Sequence, residues 1–151
     1  MSDLAEQLQA LLDERGVVDT LHRWSDAFYK GDVEGVLDCF TENGSFSMTR
    51  AADKPPNLEL SGKSELTEWM HEHEARVPPG KASQIVAHPR VGIDGDRAES
   101  ACFFVVIHNI DGAPTLFSTG RFYDSLERCD DGRWRIAARR GVGEMRREKT
   151  S

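Results

Sequence analysis

The sequence predicts an α+β domain in which helices come first and an antiparallel sheet follows. Three Asp-Gly pairs, at residues 94–95, 111–112 and 131–132, divide the end of the chain into four long runs. Asp-Gly is a strong signal for a tight hairpin turn, because glycine adopts a positive φ without steric penalty. The runs are rich in Val, Ile, Phe and Thr, as strands are. Strands this long twist and coil, so we expect a concave face that wraps around a helix and leaves a pocket.

The first part of the chain is predicted to form helices. Residues 3–15 carry a leucine stripe that ends near Gly16, and residues 17–30 form a second helix that ends at Gly31-Asp32. Asp32 is predicted to cap a short helix that follows. The apolar side chains of the two long helices recur at helical spacing. They are Leu4, Leu8, Leu11 and Leu12 in the first, and Val17, Leu21, Trp24 and Phe28 in the second.

The middle of the chain contains a short strand, a loop and a third helix before the sheet begins. Residues 45–48 are a candidate strand, and residues 50–60, with two prolines, are predicted to be a loop. Ser64 is predicted to cap the third helix, which ends at residues 77–80. The four long strands are predicted at about 82–93, 97–110, 114–128 and 133–144.

The composition indicates one globular domain of 151 residues, with an ordered core at about 3–145 and a short basic tail. A net charge of −7 argues against nucleic acid as a partner. A basic cluster near the end is interpreted as a solvated strand end and tail: Arg139, Arg140, Arg146, Arg147 and Lys149. We expect no signal peptide and no membrane span. Three widely separated cysteines favour reduced thiols and a cytoplasmic location.

Several segments resemble SnoaL-like proteins of the nuclear transport factor 2-like superfamily. The segment 23–32, RWSDAFYKGD, closing at 40–44, FTENG, is similar to the opening of these proteins. The segment 93–98, IDGDRA, resembles their second hairpin, and GRFYD at 120–124 with GRWRI at 132–136 resembles their last two strands. The resemblance spans roughly residues 10–145 and is specific to the fold and not to one activity.

The resemblance implies a cone, in which a curved sheet closed by helices surrounds a deep, mostly apolar cavity. Relatives in the superfamily include scytalone dehydratase, hexachlorocyclohexane dehydrochlorinase, bile-acid dehydratase, polyketide cyclases and ketosteroid isomerase. Their shared chemistry moves a proton on a small apolar substrate without a metal or an organic cofactor. The fold therefore implies a pocket and a class of ligand, but it does not select a reaction.

The Asp–His pair of the dehydratase-like relatives is absent from this chain. By resemblance, Tyr29 stands at the position of their catalytic Asp, and Gln84 stands at the position of their His. A position that is often Asn in the family is His88 here. These departures count against dehydration or dehydrochlorination by the familiar mechanism.

Three other side chains are candidates for the chemistry. Strand alternation puts Gln84, Val86 and His88 on one face, so His88 can present an imidazole to the cavity. His108 is the ionisable residue in an apolar run from 101 to 110. Tyr29 is a candidate donor to a developing oxyanion. Simpler interpretations stay open, because both histidines can lie exposed at strand edges or ends and a tyrosine on a helix flank can serve only in packing.

The apolar helix faces are candidate walls of the pocket, although core packing is the simplest interpretation for most of their members. The candidate ligand contacts are Trp24, Phe28, Trp69, Met70 and Gln84. A metal site at His71-Glu72-His73 is rejected, since residues two apart on a helix point about 200° apart. Cys129 has no partner that would make it a nucleophile.

Two functions remain open from the sequence. One is a cofactor-independent isomerase, cyclase or lyase of secondary or catabolic metabolism that acts on a small apolar or cyclic molecule. The other is a non-catalytic ligand-binding or accessory protein of the same fold. In either case we expect a homodimer or homotrimer.

Overall fold

Residues 2–147 are described by a computed structural model, which confirms the α+β fold. The helices are α1 (Ser2–Lys30), α2 (Val33–Asp38) and α3 (Gly62–Arg76). The strands are β1 (Phe40–Thr49), β2 (Leu58–Ser61), β3 (Ala82–Asp94), β4 (Arg97–Ile110), β5 (Ala113–Arg128) and β6 (Trp134–Arg146). They form one curved, unclosed sheet in the order β2-β1-β6-β5-β4-β3, with α1 packed against β3 and β6 and α3 against β1 and β2.

The two predicted N-terminal helices are one continuous helix, so the predicted break at Gly16 is wrong. A Cβ on Gly16 would lie 2.7 Å from Cδ1 of Trp134, which shows that the glycine admits the indole against the helix. An isolated glycine costs a helix only about 1 kcal/mol, and this close packing offsets that cost.

The first turns of α1 extend beyond the body of the protein. The first buried side chain is that of Asp13, which is bound to Arg128 at 2.8 Å. At about 100° per residue, the leucine stripe lies on the side of α1 opposite to the face that packs on the sheet. Its members are 73%, 56%, 65% and 57% exposed, in the order Leu4, Leu8, Leu11 and Leu12. The stripe therefore does not belong to the core of this chain.

The region between α1 and β3 differs from the prediction in three respects. The first strand is longer than predicted and runs parallel to β6, so the sheet is not purely antiparallel. A further strand, β2, forms within the predicted loop and pairs with β1. The third helix begins at Gly62 after Ser61, so the predicted cap at Ser64 is wrong. The predicted cap at Asp32 is confirmed, because its carboxylate accepts the Gly35 N–H at 3.0 Å.

The long hairpins follow the prediction closely. The glycines of the three Asp-Gly pairs have φ values of 60°, 81° and 82°. The pairing of β3 with β4 shifts between Ala87 and Arg90, where two residues form a bulge. Inside the curve of the sheet, four aromatic side chains pack with ring centroids 4.6–6.4 Å apart. They are Trp24, Phe46, Phe104 and Phe122.

Candidate functional site

A cavity of about 320 Å³ opens between α3 and one end of the sheet. All six strands contribute side chains to its lining and α3 supplies one wall, because the sheet curls towards the helix. Its apolar lining includes Phe46, Met48, Trp69, Phe104 and Phe117.

Two histidines face this cavity from opposite sides. His108 comes from β4 and stacks on Phe117, with ring centroids 4.2 Å apart and planes 13° apart. His73 comes from α3 and stacks beside Trp69, at 5.6 Å. Each imidazole therefore packs against an aromatic ring of the cavity lining.

Burial in this apolar site lowers the pKa of both imidazoles. The pKa of His108 is lowered by desolvation, and the pKa of His73 is lowered first by desolvation and then by the charges of Arg76 and His108. Both are therefore neutral at pH 7 and able to accept a proton.

Two buried polar atoms at the cavity have no hydrogen-bond partner within residues 2–147. They are Oε1 of Gln84 and Oγ1 of Thr119. An unsatisfied buried polar group costs about 1–3 kcal/mol, so a bound molecule that pairs with either group relieves that cost.

Three of the predicted site residues come together at this cavity. His108, Trp69 and Gln84 all line it, although they lie on three different elements. His73 lines it too, although it is not among the site residues predicted from the sequence. The available signal was its helical face, which it shares with Trp69.

The other two predicted catalytic residues lie elsewhere. His88 sits in the bulge of β3 with φ 52°, is exposed, and packs edge-to-face with Phe103, with ring centroids 6.4 Å apart. The expectation that it shares a face with Gln84 is wrong, because the extra residue of the bulge interrupts the alternation. Tyr29 is 43% exposed and lines a separate, shallow groove between α1 and β3, to which Gln84 also contributes.

Three predicted wall residues are core and do not line the cavity. Trp24, Phe28 and Met70 are 1%, 5% and 0% exposed. Trp24 stacks on Phe28 at 5.2 Å and fills the deep end of the cone. The cavity is therefore shallower than the resemblance implies.

A buried ion pair lies beneath Trp24, so the interpretation of Arg139 as part of a solvated basic cluster is wrong. Arg139 and Asp124 are 1% and 3% exposed and form two hydrogen bonds of 2.8 and 2.9 Å. The guanidinium also lies 4.5 Å from the ring centroid of Trp24 and 4.1 Å from that of Phe122. Asp124 on β5 is paired with Arg139 on β6. Strand alternation turns both side chains towards the core, and two opposite charges facing inward on paired strands indicate a buried ion pair.

The two buried cysteines are not candidates for a nucleophile. Burial raises the pKa of Cys39 and of Cys102 to about 11, so neither thiol is an effective nucleophile at neutral pH. The His71 side chain is 64% exposed and, unlike that of His73, does not line the cavity. Within residues 2–147, no three His, Cys, Asp or Glu side chains are grouped to hold a metal ion. In the same range, no helix is both long and apolar enough to cross a membrane.

Comparison with known proteins identifies the fold. The family model described as the SnoaL-like domain matches residues 9–140. No curated protein matches the chain. A variant of Rv3472, a protein of unknown function from Mycobacterium tuberculosis, is similar over 89% of this chain and 77% of its own, with 25% identity and a TM-score of 0.77.

Two structures from Novosphingobium aromaticivorans are also similar. One is an NTF2-like protein with a cystatin-like fold, at 18% identity over 95% of this chain and 89% of its own, with a TM-score of 0.79. The other is provisionally assigned as a scytalone dehydratase, at 14% identity over 100% of this chain and 93% of its own, with a TM-score of 0.77. At these identities the likeness shows the fold alone.

Proposed function

Given that the chain belongs to the SnoaL-like domain family, we propose that its cavity binds a small, mainly apolar molecule and transfers a proton on it without a cofactor. The observation that carries this proposal is that two histidines, His73 and His108, line one apolar cavity, where burial lowers the pKa of both. The volume of about 320 Å³ lies at the lower end of the roughly 300–1,000 Å³ of small-molecule pockets. A ligand of one or two rings fits that size best.

The arrangement suits abstraction of a proton from carbon next to a carbonyl group. A neutral imidazole takes the C–H proton, and the electron pair moves to the carbonyl oxygen to give an enolate. The second imidazole and the Gln84 carboxamide are available to donate hydrogen bonds to that oxygen. Return of the proton to another carbon gives an isomerase, attack of the enolate on a second carbonyl gives a cyclase, and loss of a β-substituent gives a lyase.

Deuterium exchange tests this function without knowledge of the natural substrate. The probe is 2-tetralone, a bicyclic ketone with acidic C–H bonds, incubated with the protein in D₂O and followed by NMR. General-base catalysis contributes about 10²–10⁴-fold, so His108→Ala or His73→Ala is expected to reduce the exchange rate by about 10²-fold. His71→Ala and His88→Ala are matched controls, because both imidazoles lie outside the cavity.

If the deuterium-exchange rate is unchanged in the His108→Ala and His73→Ala variants, these residues are not the bases. The pH profile provides a second check. Because the pKa of each imidazole is lowered, exchange should rise with pH along a limb whose midpoint lies below about 6.5, the ordinary pKa of histidine. A midpoint above that value contradicts the assignment.

A non-catalytic ligand-binding role is the second candidate. It is favoured by Tyr29 and Gln84, which replace the Asp and His of the dehydratase-like relatives, and by the position of Tyr29 outside the cavity. Calorimetric binding of 2-tetralone without deuterium exchange would support this role over catalysis.

A homodimer or homotrimer is part of the proposal, and the leucine stripe of α1 is an exposed apolar surface that self-association would cover. Leu8→Glu is expected to reduce the mass measured by light scattering. Ala10→Glu is the control, since it adds the same charge on the opposite side of α1. An unchanged mass in the Leu8→Glu variant would exclude the stripe as the interface. We also propose a cytoplasmic location, which fits the three free cysteines.

A further inference from the structure

The rim of the cavity carries two arginines whose charges are not neutralised by neighbouring carboxylates. Arg50 and Arg146 both line the cavity and are exposed. Within residues 2–147, neither has a carboxylate oxygen within 4.0 Å. The carboxylate in the lining, Glu144, is bound to Arg121 at 2.7 Å. The rim is therefore positive in a protein whose net charge is −7.

The fold brings these two arginines to the same end of the sheet. The parallel pairing of β1 with β6 places Arg50 just beyond the end of β1, beside Gly143. A Cβ at Gly143 would lie 2.6 Å from the carbonyl oxygen of Arg50, so glycine at this position permits the close approach. Arg146 follows three residues later on the same strand.

Arg146 lies close to the proposed base, His108, because both side chains pack against Phe117. Its guanidinium lies 5.2 Å from the ring centroid of Phe117, whose other neighbour is the His108 imidazole at 4.2 Å. A molecule of one or two rings that reaches His108 therefore has its opposite end near the rim. Arginine is well suited to bind a carboxylate there, because its planar guanidinium donates two parallel hydrogen bonds.

We propose that the ligand of this cavity is an aromatic or bicyclic carboxylate, with its ring system inside and its carboxylate bound by Arg50 and Arg146. The inference rests on the proposed function, since it describes the ligand of the same cavity. The acidic surface elsewhere repels anions at long range, so recognition depends on these two local charges.

Two probes of nearly the same shape, one with a carboxylate and one with a neutral amide, measure how much the carboxylate charge contributes to binding. Binding of 2-naphthoate and of 2-naphthamide is measured by calorimetry at low and at high salt. Charge-assisted hydrogen bonds predict that the naphthoate binds about tenfold more tightly at low salt, with a smaller preference at high salt. The double variant Arg50→Gln/Arg146→Gln should bind both probes equally. Arg140→Gln is the control, because that guanidinium stacks on Tyr123, 4.6 Å from its ring centroid and away from this cavity.

Equal affinity for the two probes, or a preference that survives in the double variant, would overturn the carboxylate assignment and leave the proposed cavity function intact. Failure of both probes, and of 2-tetralone, to bind would overturn the proposed function and this inference with it.

Discussion

The buried ion pair gives a stability prediction of defined size. Asp124→Asn preserves the shape of the side chain but removes the negative charge that faces Arg139, and it places an amide N–H group towards a guanidinium. Both residues are at most 3% exposed, and the two hydrogen bonds between them are 2.8 and 2.9 Å long. Removal of one partner of such a pair costs about 3–5 kcal/mol. The free energy of unfolding of a typical domain is only about 5–15 kcal/mol.

Urea denaturation and thermal unfolding measure this effect. At about 2–4 °C per kcal/mol for a chain of this size, Asp124→Asn should lower the Tm by about 10 °C. Glu144→Gln is the matched control, since it breaks an exposed ion pair with Arg121 on the same sheet and should cost less than about 1 kcal/mol. If the two variants lose the same stability, the buried pair does not have the energetic role inferred for it. Asp124→Leu combined with Arg139→Met should recover part of the loss, because it leaves no unpaired charge.

Three further predictions concern single sites. Gly120→Ala should destabilise the protein by several kcal/mol, because its Cβ would overlap the Val142 carbonyl oxygen and the Phe104 ring, whereas Gly92→Ala has nothing within 4 Å and should be neutral in the same denaturation assay. Iodoacetamide at neutral pH should label about one thiol per native chain, at Cys129, and mass spectrometry of full labelling at the two buried cysteines would contradict their burial. The pKa of His73 is lowered in the folded state, so below pH 6.5 the folded protein binds fewer protons than the unfolded chain. The free energy of unfolding should therefore fall as the pH drops through that range. His73→Gln should make the free energy of unfolding less dependent on pH.

Local signals in the sequence predicted most of the secondary structure. The Asp-Gly turns and the strands between them depend on the φ preference of glycine and on the alternation of apolar residues, which act over a few residues. Gly16 shows where such a signal fails. The break depends on whether a neighbour compensates for the glycine, and that neighbour, Trp134, is distant in sequence.

The candidate site was predicted in part for the same reason. His108 was selected because it is the ionisable residue in an apolar run of β4, and Trp69 because it belongs to the apolar face of α3. His73 shares that face, but only the position of α3 over the sheet shows that the end of the helix reaches the cavity. His88 was misplaced because a bulge has no reliable signal in a single sequence.

The sequence by itself determined the order of helices and strands, the positions of the hairpin turns and the phase of most strands, since these follow from the conformational preferences of neighbouring residues. Only the tertiary structure decided which side chains meet at the cavity. The parallel pairing of β1 with β6 brings Arg50 beside Gly143, and the curl of the sheet towards α3 brings His73 opposite His108. Both depend on contacts between residues far apart in the chain, whose free energy arises from burial and packing that no local pattern encodes.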